Sequence, residues 1–370
     1  MLSDLTSSSR RLALVGLAKN TGKTETLAAL LRELDAAGRT VGVTSVGRDG
    51  EEHDVIDARI SKPRLRLRAG SLVASTDGLL RASGTPHKVL EQTDVRTPLG
   101  RVQIARLSGV GEIEVAGPSA AVQVRAVSDA MLAHGAEQVL IDGAIDRRAA
   151  SSPEVSDGLV MATGAVLSTD IEEVVARTRE AVELARLPAP QNGSSSLARA
   201  RELFGDAPPD SGAPASAQAS EHGALISADG ELTALPARFV LRAGGGELAA
   251  LLDAHPDGAL LAIAGALPER FLEELRLALR PGRRAITVLV GDSTRVFLQA
   301  RGVEWYRRQG IALRALAQID LRALTVNPVA PQSHRFDSAQ LRAALAHAIP
   351  DVPILDVCHP DYPGAHPPLG

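Results

Sequence analysis

The stretch that decides the fold is Leu12-Ala13-Leu14-Val15-Gly16-Leu17-Ala18-Lys19-Asn20-Thr21-Gly22-Lys23-Thr24, where an apolar run leads into a Gly-Lys-Thr segment. Residues 26–34 follow, and their leucines recur at a spacing that places them on one face of a helix. The order of strand, glycine turn and helix is the setting that a phosphate-binding loop requires. In such a loop, backbone N–H groups surround a phosphate, the lysine contacts its outer oxygens and the threonine hydroxyl ligates Mg²⁺. The sequence therefore predicts these nucleotide-binding residues: Lys19, Asn20, Thr21, Gly22, Lys23, Thr24 and Thr26.

One position departs from the usual spacing of such a loop. The usual pattern has glycine five positions before Gly22, whereas Leu17 occupies that position and Gly16 stands one residue earlier. The alternative interpretation is a tight turn between strand and helix whose lysine faces solvent. Lys19 lies inside the loop, where it can either supply a second cation to the phosphates or stay solvated. We expect nucleotide binding because strand, turn and helix all agree with it.

The composition indicates a globular protein large enough for two or three domains. The chain has 370 residues, 45% of them hydrophobic, and a net charge of −4, which argues against a disordered or nucleic-acid-coating protein. Aromatic residues make up only 2%, which argues against base-stacking surfaces. Cys358 is the only cysteine, so neither an internal disulfide nor a cysteine-cluster metal site can form. No apolar run approaches the roughly 20 residues of a membrane span, and no export signal is recognisable, so we expect a cytoplasmic protein.

The first half of the chain alternates strand-like and helix-like segments. The predicted strands cover residues 12–15, 41–45, 71–74, 102–107, 112–116 and 138–141. The predicted helices cover residues 25–36, 122–134 and 170–187. This alternation predicts an α/β fold with a mainly parallel sheet, a P-loop nucleotide-binding domain over residues 1–187. Ligands bind such sheets at the carboxyl ends of the strands.

A second, smaller α/β domain is predicted for residues 224–370. Its predicted strands cover residues 259–264, 285–290, 323–326 and 354–357, and its predicted helices cover residues 247–254, 269–279, 303–309 and 338–348. Residues 188–223 are rich in serine, proline and alanine and predict a flexible linker that contains one short helix, 197–204. Because the second domain has no phosphate loop, we expect it to bind a partner or to regulate the first.

Nucleotide hydrolysis requires carboxylates that hold Mg²⁺ or orient the attacking water, and three occupy suitable strand ends. Asp49 follows the second strand; the alternative is a charged surface turn. Glu114 shares a strand face with Glu112 before a Gly-Pro turn; the alternative is a glutamate on an edge strand. Asp142 ends an apolar strand, as a Walker B acid does; the alternative is a cap of the following turn. The predicted catalytic residues are Lys23, Asp49, Glu114 and Asp142, and the predicted metal ligands are Thr24, Asp49 and Glu114.

The identity of the nucleotide is indicated by what the sequence lacks. GTPases carry an Asn/Thr-Lys-x-Asp segment that reads guanine, and this segment does not occur, so ATP with Mg²⁺ is the expected ligand. The nine histidines are scattered and form neither a His-x-His nor a His-x-x-x-His pair typical of metal sites. No Gly-x-Ser-x-Gly elbow indicates a serine hydrolase.

The loop formed by residues 15–24 resembles that of P-loop proteins encoded beside adenosylcobalamin-dependent lysine 5,6-aminomutase. Further segments that carry the resemblance are residues 44–52, 62–64, 96–100, 114–118, 142–147, 163–165, 325–328 and 336–337. The similarity thus extends over most of the chain and is weakest in the linker and the tail. The order of elements also resembles the wider class that contains dethiobiotin synthetase and the Min-type ATPases.

The resemblance implies a function, partners and metal ligands. Members of the family are regarded as reactivase subunits for the aminomutase and are thought to act with a MutS-like ATPase. An ATPase of this kind would release damaged cobalamin cofactor from the closed mutase, if its ATP and ADP states differ in affinity for that enzyme. In the wider class, an acid after the second strand and a Glu-x-Ala-Gly segment ligate Mg²⁺, which correspond to Asp49 and Glu114.

Three other functions are compatible with the sequence. The first alternative is an ATP-dependent small-molecule ligase of the dethiobiotin-synthetase type, with its substrate bound by Lys62, Arg64, Arg66 and Arg68. These cations alternate with Pro63, Leu65 and Leu67, so a solvated strand face explains them equally well. The second is a non-hydrolysing nucleotide-binding scaffold, and the third, a metallochaperone GTPase, lacks both a guanine segment and a metal cluster. A homodimer is compatible with each of these functions.

Overall fold

The computed structural model describes residues 1–47, 64–144, 148–190, 195–204, 223–236, 238–255, 259–279, 285–331 and 334–362. Within these residues the chain forms two units. Unit 1 comprises Met1–Arg179 and Asp320–Gly370, and unit 2 comprises Glu180–Ile319. Both units combine helices with β-sheets, so the predicted α/β class is confirmed. Of the helices in the described part of the chain, none is long and apolar enough to cross a lipid bilayer.

Strands and helices alternate along most of the chain. The strands are β1 (Arg11–Gly16), β2 (Val41–Ser45), β3 (Leu65–Leu67), β4 (Leu72–Thr76), β5 (His87–Thr97), β6 (Gly100–Leu107), β7 (Gly111–Ile113), β8 (Gln138–Ala144), β9 (Gly158–Gly164), β10 (Ala224–Ser227), β11 (Leu232–Ala234), β12 (Ala259–Ile263), β13 (Leu267–Pro268), β14 (Ile286–Val290), β15 (Val296–Phe297), β16 (Ile311–Ala315), β17 (Leu321–Asn327) and β18 (Ile354–Leu355). The helices are α1 (Leu2–Leu5), α2 (Lys23–Ala36), α3 (Asp77–Ala82), α4 (Ala121–Ala133), α5 (Ile171–Ala185), α6 (Ser195–Leu203), α7 (Phe239–Arg242), α8 (Gly245–Asp253), α9 (Glu269–Ala278), α10 (Val303–Arg308) and α11 (Ser338–Ala348).

A nine-stranded sheet organises unit 1, with the strand order β18-β17-β9-β1-β8-β2-β4-β6-β5. The strands from β18 to β4 pair in parallel, whereas β6 pairs antiparallel with both β4 and β5. Every residue of β2, β4 and β9 is buried, as is typical of parallel strands that are covered on both faces. The sheet places β1 between β8 and β9, near its centre.

Helix α2 packs its leucine face into the core of unit 1. Leu27, Leu30 and Leu34 are buried in the cluster that also contains Leu12 and Leu14 of β1, which confirms the predicted apolar face. Full burial of one leucine side chain contributes about 1.5–3 kcal/mol to folding. Packing of this leucine face against the sheet therefore holds helix α2 in place, including its first turn.

The structure corrects two predictions about unit 1. Residues 112–116 were predicted as one strand, but β7 ends at Ile113 and pairs with β3 instead of the large sheet. Residues 320–370 were predicted to belong to the second domain, but β17 pairs with β9 and β18 pairs with β17. Both segments have strand-like composition, and composition does not specify the pairing partner. Strand β9, which was not predicted, connects β17 to β1.

Unit 2 contains a five-stranded sheet of order β11-β10-β12-β14-β16. Strands β12, β14 and β16 are parallel, and β10 is antiparallel to both β11 and β12. Part of the predicted linker belongs to this unit, because α6 buries Leu197 and Ala200 in a cluster with Ile226 and Leu289. The described part of the linker is thus a packed helix, and residues 205–222 lie outside the described residues.

Candidate functional site

The candidate site lies at the carboxyl end of β1, where the chain turns into α2. Parallel strands β8 and β9 flank β1, so three adjacent carboxyl ends meet at this edge of the sheet. The edge formed by carboxyl ends is where open α/β sheets bind ligands. The sequence analysis predicted a site at this edge, and the sheet topology puts the carboxyl end of β1 between those of β8 and β9.

The loop before α2 is tightly curled. Asn20 and Gly22 have left-handed backbone conformations, with φ values of 67° and 88°, and Thr21 Oγ1 donates to the Ala18 carbonyl oxygen at 3.0 Å. Thr26 donates twice to the Gly22 carbonyl oxygen, from its backbone N and from Oγ1, each at 2.9 Å. Helix α2 therefore begins at Lys23, and the first N–H groups of a helix have no carbonyl partner inside it. These donors and the positive end of the helix dipole favour an anion at this point.

The glycine that the loop needs is Gly16. A Cβ atom there would lie 2.5 Å from Thr21 Oγ1 and 3.2 Å from the Ala18 carbonyl oxygen, so any side chain would displace the loop. Leu17 instead donates its backbone N–H to the Ala162 carbonyl oxygen at 2.9 Å, which extends the β1–β9 pairing by one residue. Glycine at position 16 thus has a steric reason.

Two residues of β17 hold the loop, and the sequence analysis did not assign them to the site. Asn327 Nδ2 donates to the Asn20 carbonyl oxygen at 3.2 Å, and a Cβ atom on Gly22 would lie 3.0 Å from Asn327 Cβ. Thr325 Oγ1 and Thr26 Oγ1 are hydrogen-bonded at 2.7 Å, and both residues are buried. The only sequence signal for these contacts was that residues 325–328 belonged to the family resemblance.

Lys23 and Asp142 form an ion pair at the base of the loop, between Nζ and Oδ1. Asp142 lies inside β8, beside Leu14 of β1 and Ser45 of β2, so the alternative that it caps a turn is not supported. The side chains are 24% and 32% exposed, respectively, which leaves both accessible to a ligand. The structure therefore brings together two of the four predicted catalytic residues.

The segment that contains Glu114 is bound to the ends of β2 and β4. Ser75 Oγ donates to the Glu114 carbonyl oxygen at 3.0 Å, and the Gly117 N–H donates to Ser45 Oγ at 3.0 Å. A Cβ atom on Gly117 would overlap the Ser45 carbonyl oxygen, so the approach of the two backbones requires glycine. Glu114 itself is half-buried and follows β7, not within a strand as predicted. The segment nevertheless contacts the carboxyl end of β2, whose Ser45 pairs with Asp142 of β8.

The remaining predicted site residues differ in how far they are buried, and some lie outside the described residues. Thr21 is buried, Thr24 is half-buried in the first turn of α2, and Lys19 is exposed on the loop. Asp49 lies outside the described residues, as does Lys62. Among the described residues, no group of three or more His, Cys, Asp or Glu side chains could hold a metal ion.

One cation of the ligase alternative, Arg68, is separated from the loop. Arg66 is exposed between the buried Leu65 and Leu67, as expected of a solvated strand face. Arg68 pairs with Asp35 at 2.7 Å and donates to the Arg39 carbonyl oxygen at 2.7 Å. Asp35 lies twelve residues after Lys23 on α2, about 18 Å along the helix axis at 1.5 Å per residue. Arg68 thus stabilises the far end of α2 and does not approach the loop.

No known protein family, curated protein or solved structure gives a significant match to this chain.

Proposed function

We propose that unit 1 is a P-loop domain that binds ATP with Mg²⁺ and hydrolyses it. The observation that supports this most is the curled loop from Gly16 to Gly22, which presents Lys23 at the start of α2 and at the carboxyl end of a central parallel strand. Backbone N–H groups, a lysine and a helix N-terminus in this arrangement suit a polyphosphate. The ion pair with Asp142 keeps the lysine at the loop.

The oxygen ligands near the loop suit Mg²⁺. The cation prefers hard oxygen ligands in octahedral geometry and keeps several waters, so one or two protein ligands and phosphate oxygens suffice. Thr24 Oγ1 in the first turn of α2 would be one ligand, and Asp142 on the adjacent strand β8 would bind a water of the metal. Asp49 and Glu114 stay in the proposal as further ligands because the family resemblance implies them. When bound, Mg²⁺ would neutralise charge on the phosphates.

Lys23 and Asp142 have separate tasks in this proposal. A bound phosphate competes with Asp142 for the ammonium group, so Lys23 can turn from the carboxylate to the phosphate oxygens and stabilise charge on them. Asp142 is then free to accept a hydrogen bond from a metal-bound or attacking water. The exchange requires only a side-chain movement, since Lys23 begins α2 directly after the loop and already contacts Asp142 of β8.

We further propose that this ATPase reactivates an adenosylcobalamin-dependent aminomutase together with a MutS-like ATPase. The proposal rests on the family resemblance of the quoted segments, which include the loop and residues 325–328 that contact it. Nucleotide-dependent affinity for the mutase would let ATP turnover open the closed enzyme and release damaged cofactor. On this view unit 2 contributes to partner binding.

The test measures ATP binding and turnover by the purified protein with Mg²⁺, with and without the aminomutase and the MutS-like protein. Lys23→Ala should abolish binding, because it removes the ammonium group that would contact the phosphate oxygens. Lys88→Ala is the matched control, since Lys88 is exposed on the edge strand β5. Turnover that rises with the partners and disappears only in Lys23→Ala supports the reactivase.

Other outcomes would redirect or end the proposal. Turnover that is the same with and without both partners would favour a ligase and rule out the reactivase function. An absence of nucleotide binding in the unaltered protein would mean that the loop is only a turn between strand and helix.

A further inference from the structure

Unit 2 contains a cleft of about 440 Å³ beside helix α9. Its lining includes three arginines, two glutamates and the only tryptophan of the chain: Arg270, Arg276, Arg301, Glu269, Glu273 and Trp305. A volume of this size suits a small organic molecule. None of these residues belongs to the site proposed for nucleotide.

Two of the three arginines of the cleft lie against the ring of Trp305. The guanidinium carbon of Arg301 lies 5.1 Å from the centroid of the Trp305 ring, and that of Arg276 lies 5.7 Å from it. A cation–π contact positions a guanidinium group through its face and leaves its N–H donors for another partner. Trp305 thus holds the guanidinium group of at least one arginine in a position where its N–H donors can bind an anion.

The two glutamates are already occupied by donors of the protein. Glu269 accepts hydrogen bonds from the backbone N–H groups of Gln299 at 2.8 Å, Ala300 at 2.9 Å and Arg301 at 2.8 Å. Burial of Glu269 opposes its ionisation, but these N–H donors hold its pKa below the ordinary value. The carboxylate of Glu269 is therefore already hydrogen-bonded to the backbone of the protein. Glu273 accepts from Tyr306 Oη at 2.7 Å and from Arg276 Nε at 3.1 Å.

The charge that remains in the cleft is therefore positive. Within the described part of the chain, neither Arg270 nor Arg301 has a carboxylate within ion-pair distance. Arg270 makes a long hydrogen bond of 3.5 Å to the Leu241 carbonyl oxygen, and the Arg301 guanidinium lies against the indole ring of Trp305. The lining thus has a net positive formal charge, and two of its guanidinium groups have no ion-pair partner among the described residues, which favours a ligand with more than one negative group.

The position of the cleft in the fold is also that of a ligand site. Strands β12 and β14 are adjacent and parallel, and the cleft is formed by the segments that follow their carboxyl ends. The first segment leads through β13 into α9, and the second leads through β15 to Arg301 and α10. Parallel α/β sheets bind ligands in this region.

We propose that this cleft binds a small organic anion that carries two or more carboxylate or phosphate groups. Arg270 and Arg301 bind the anionic groups, and Trp305 holds the Arg301 guanidinium in position for them. The site is independent of the proposed nucleotide site and would let unit 2 respond to a metabolite.

Trp305 makes the proposal directly measurable, because it is the only tryptophan and its fluorescence reports on the cleft. Citrate and fructose 1,6-bisphosphate are titrated into the full chain at constant ionic strength, with uncharged fructose as the control ligand. Saturable changes in fluorescence are expected for one or both anions and not for fructose. Calorimetry with the same anions detects binding that leaves the fluorescence unchanged.

Substitutions test whether the change in fluorescence comes from binding in the cleft. Arg270→Gln and Arg301→Gln should each raise the Kd by about tenfold or more, since each removes a charge-assisted contact. Arg307→Gln is the matched control, because Arg307 is exposed on α10 and pairs with Glu304 outside the cleft. Lys23→Ala should leave the response intact, which separates this site from the nucleotide site.

Two results would overturn the proposal. The first is that neither anion changes the fluorescence or gives heat in calorimetry. The second is that Arg301→Gln and Arg307→Gln change the affinity equally, which would indicate screening of surface charge only.

Discussion

At the scale of single residues, the candidate site depends on glycines that have no room for a side chain and on one ion pair. Gly16 has no room for a side chain beside Thr21, and Gly117 has none beside Ser45. Lys23 has a carboxylate partner in Asp142 on the neighbouring strand. These positions define the shape of the loop and the charge at its base, so they determine what the site can bind.

Gly16→Ala tests the steric argument at the loop. The added methyl group would push Thr21 away from Ala18, so we expect a loss of about 1–3 kcal/mol in the free energy of unfolding and weaker ATP binding. Denaturant unfolding and nucleotide titration measure the two effects. Gly78→Ala is the control, because a Cβ atom there meets nothing within 4 Å and lies in helix α3. The control should gain up to about 1 kcal/mol, and an equal loss in both variants would contradict the argument.

At the scale of elements, the loop is held from β17 as well as by its own chain neighbours. The hydroxyl pair Thr26–Thr325 connects the first turn of α2 to β17, and the hydrogen bond from Asn327 to Asn20 connects the loop to the end of that strand. A strand almost 300 residues later in the sequence thus completes the site. Movement of β17 relative to β1 would change the loop directly.

Thr325→Val tests this connection. The substitution removes one buried hydroxyl partner of Thr26, so we expect a loss of about 1 kcal/mol in stability and a several-fold weaker affinity for ATP. Thr163→Val is the matched control, because Thr163 forms a buried pair of the same length, 2.7 Å, with Thr178 on α5. Both variants should lose similar stability in thermal unfolding, but only Thr325→Val should lose affinity. Equal affinities would mean that β17 does not position the loop.

At the scale of the whole molecule, the chain leaves unit 1 after Arg179 and returns to it at Asp320. The returning segment supplies β17, β18 and α11 to the unit that contains the candidate site. Unit 2 is therefore an insertion into unit 1 along the sequence. Its own core includes Phe271, Leu275 and Tyr306, all buried.

Fragments of the chain distinguish this organisation from the one that the sequence predicted. Residues 1–187, the predicted first domain, lack β17 and β18, so the β9 edge would be unpaired and we expect no cooperative unfolding transition. Residues 180–319 contain a complete core and should unfold cooperatively on their own. Circular dichroism during thermal unfolding measures both. Cooperative unfolding of residues 1–187 would contradict the division into units.

The sequence by itself determined the local elements of the site: the strand before Gly16, the leucine face of α2 and the apolar strand that carries Asp142. These features follow from short-range periodicity and turn chemistry, which a single segment contains in full. Only the tertiary structure decided that β17 contacts the loop, that Gly16 must be glycine, that Glu114 follows a short strand outside the large sheet and that Arg68 supports the far end of α2. The physical reason is that parallel strands pair across long stretches of chain, and many strand-like segments are equally suited to each place in a sheet.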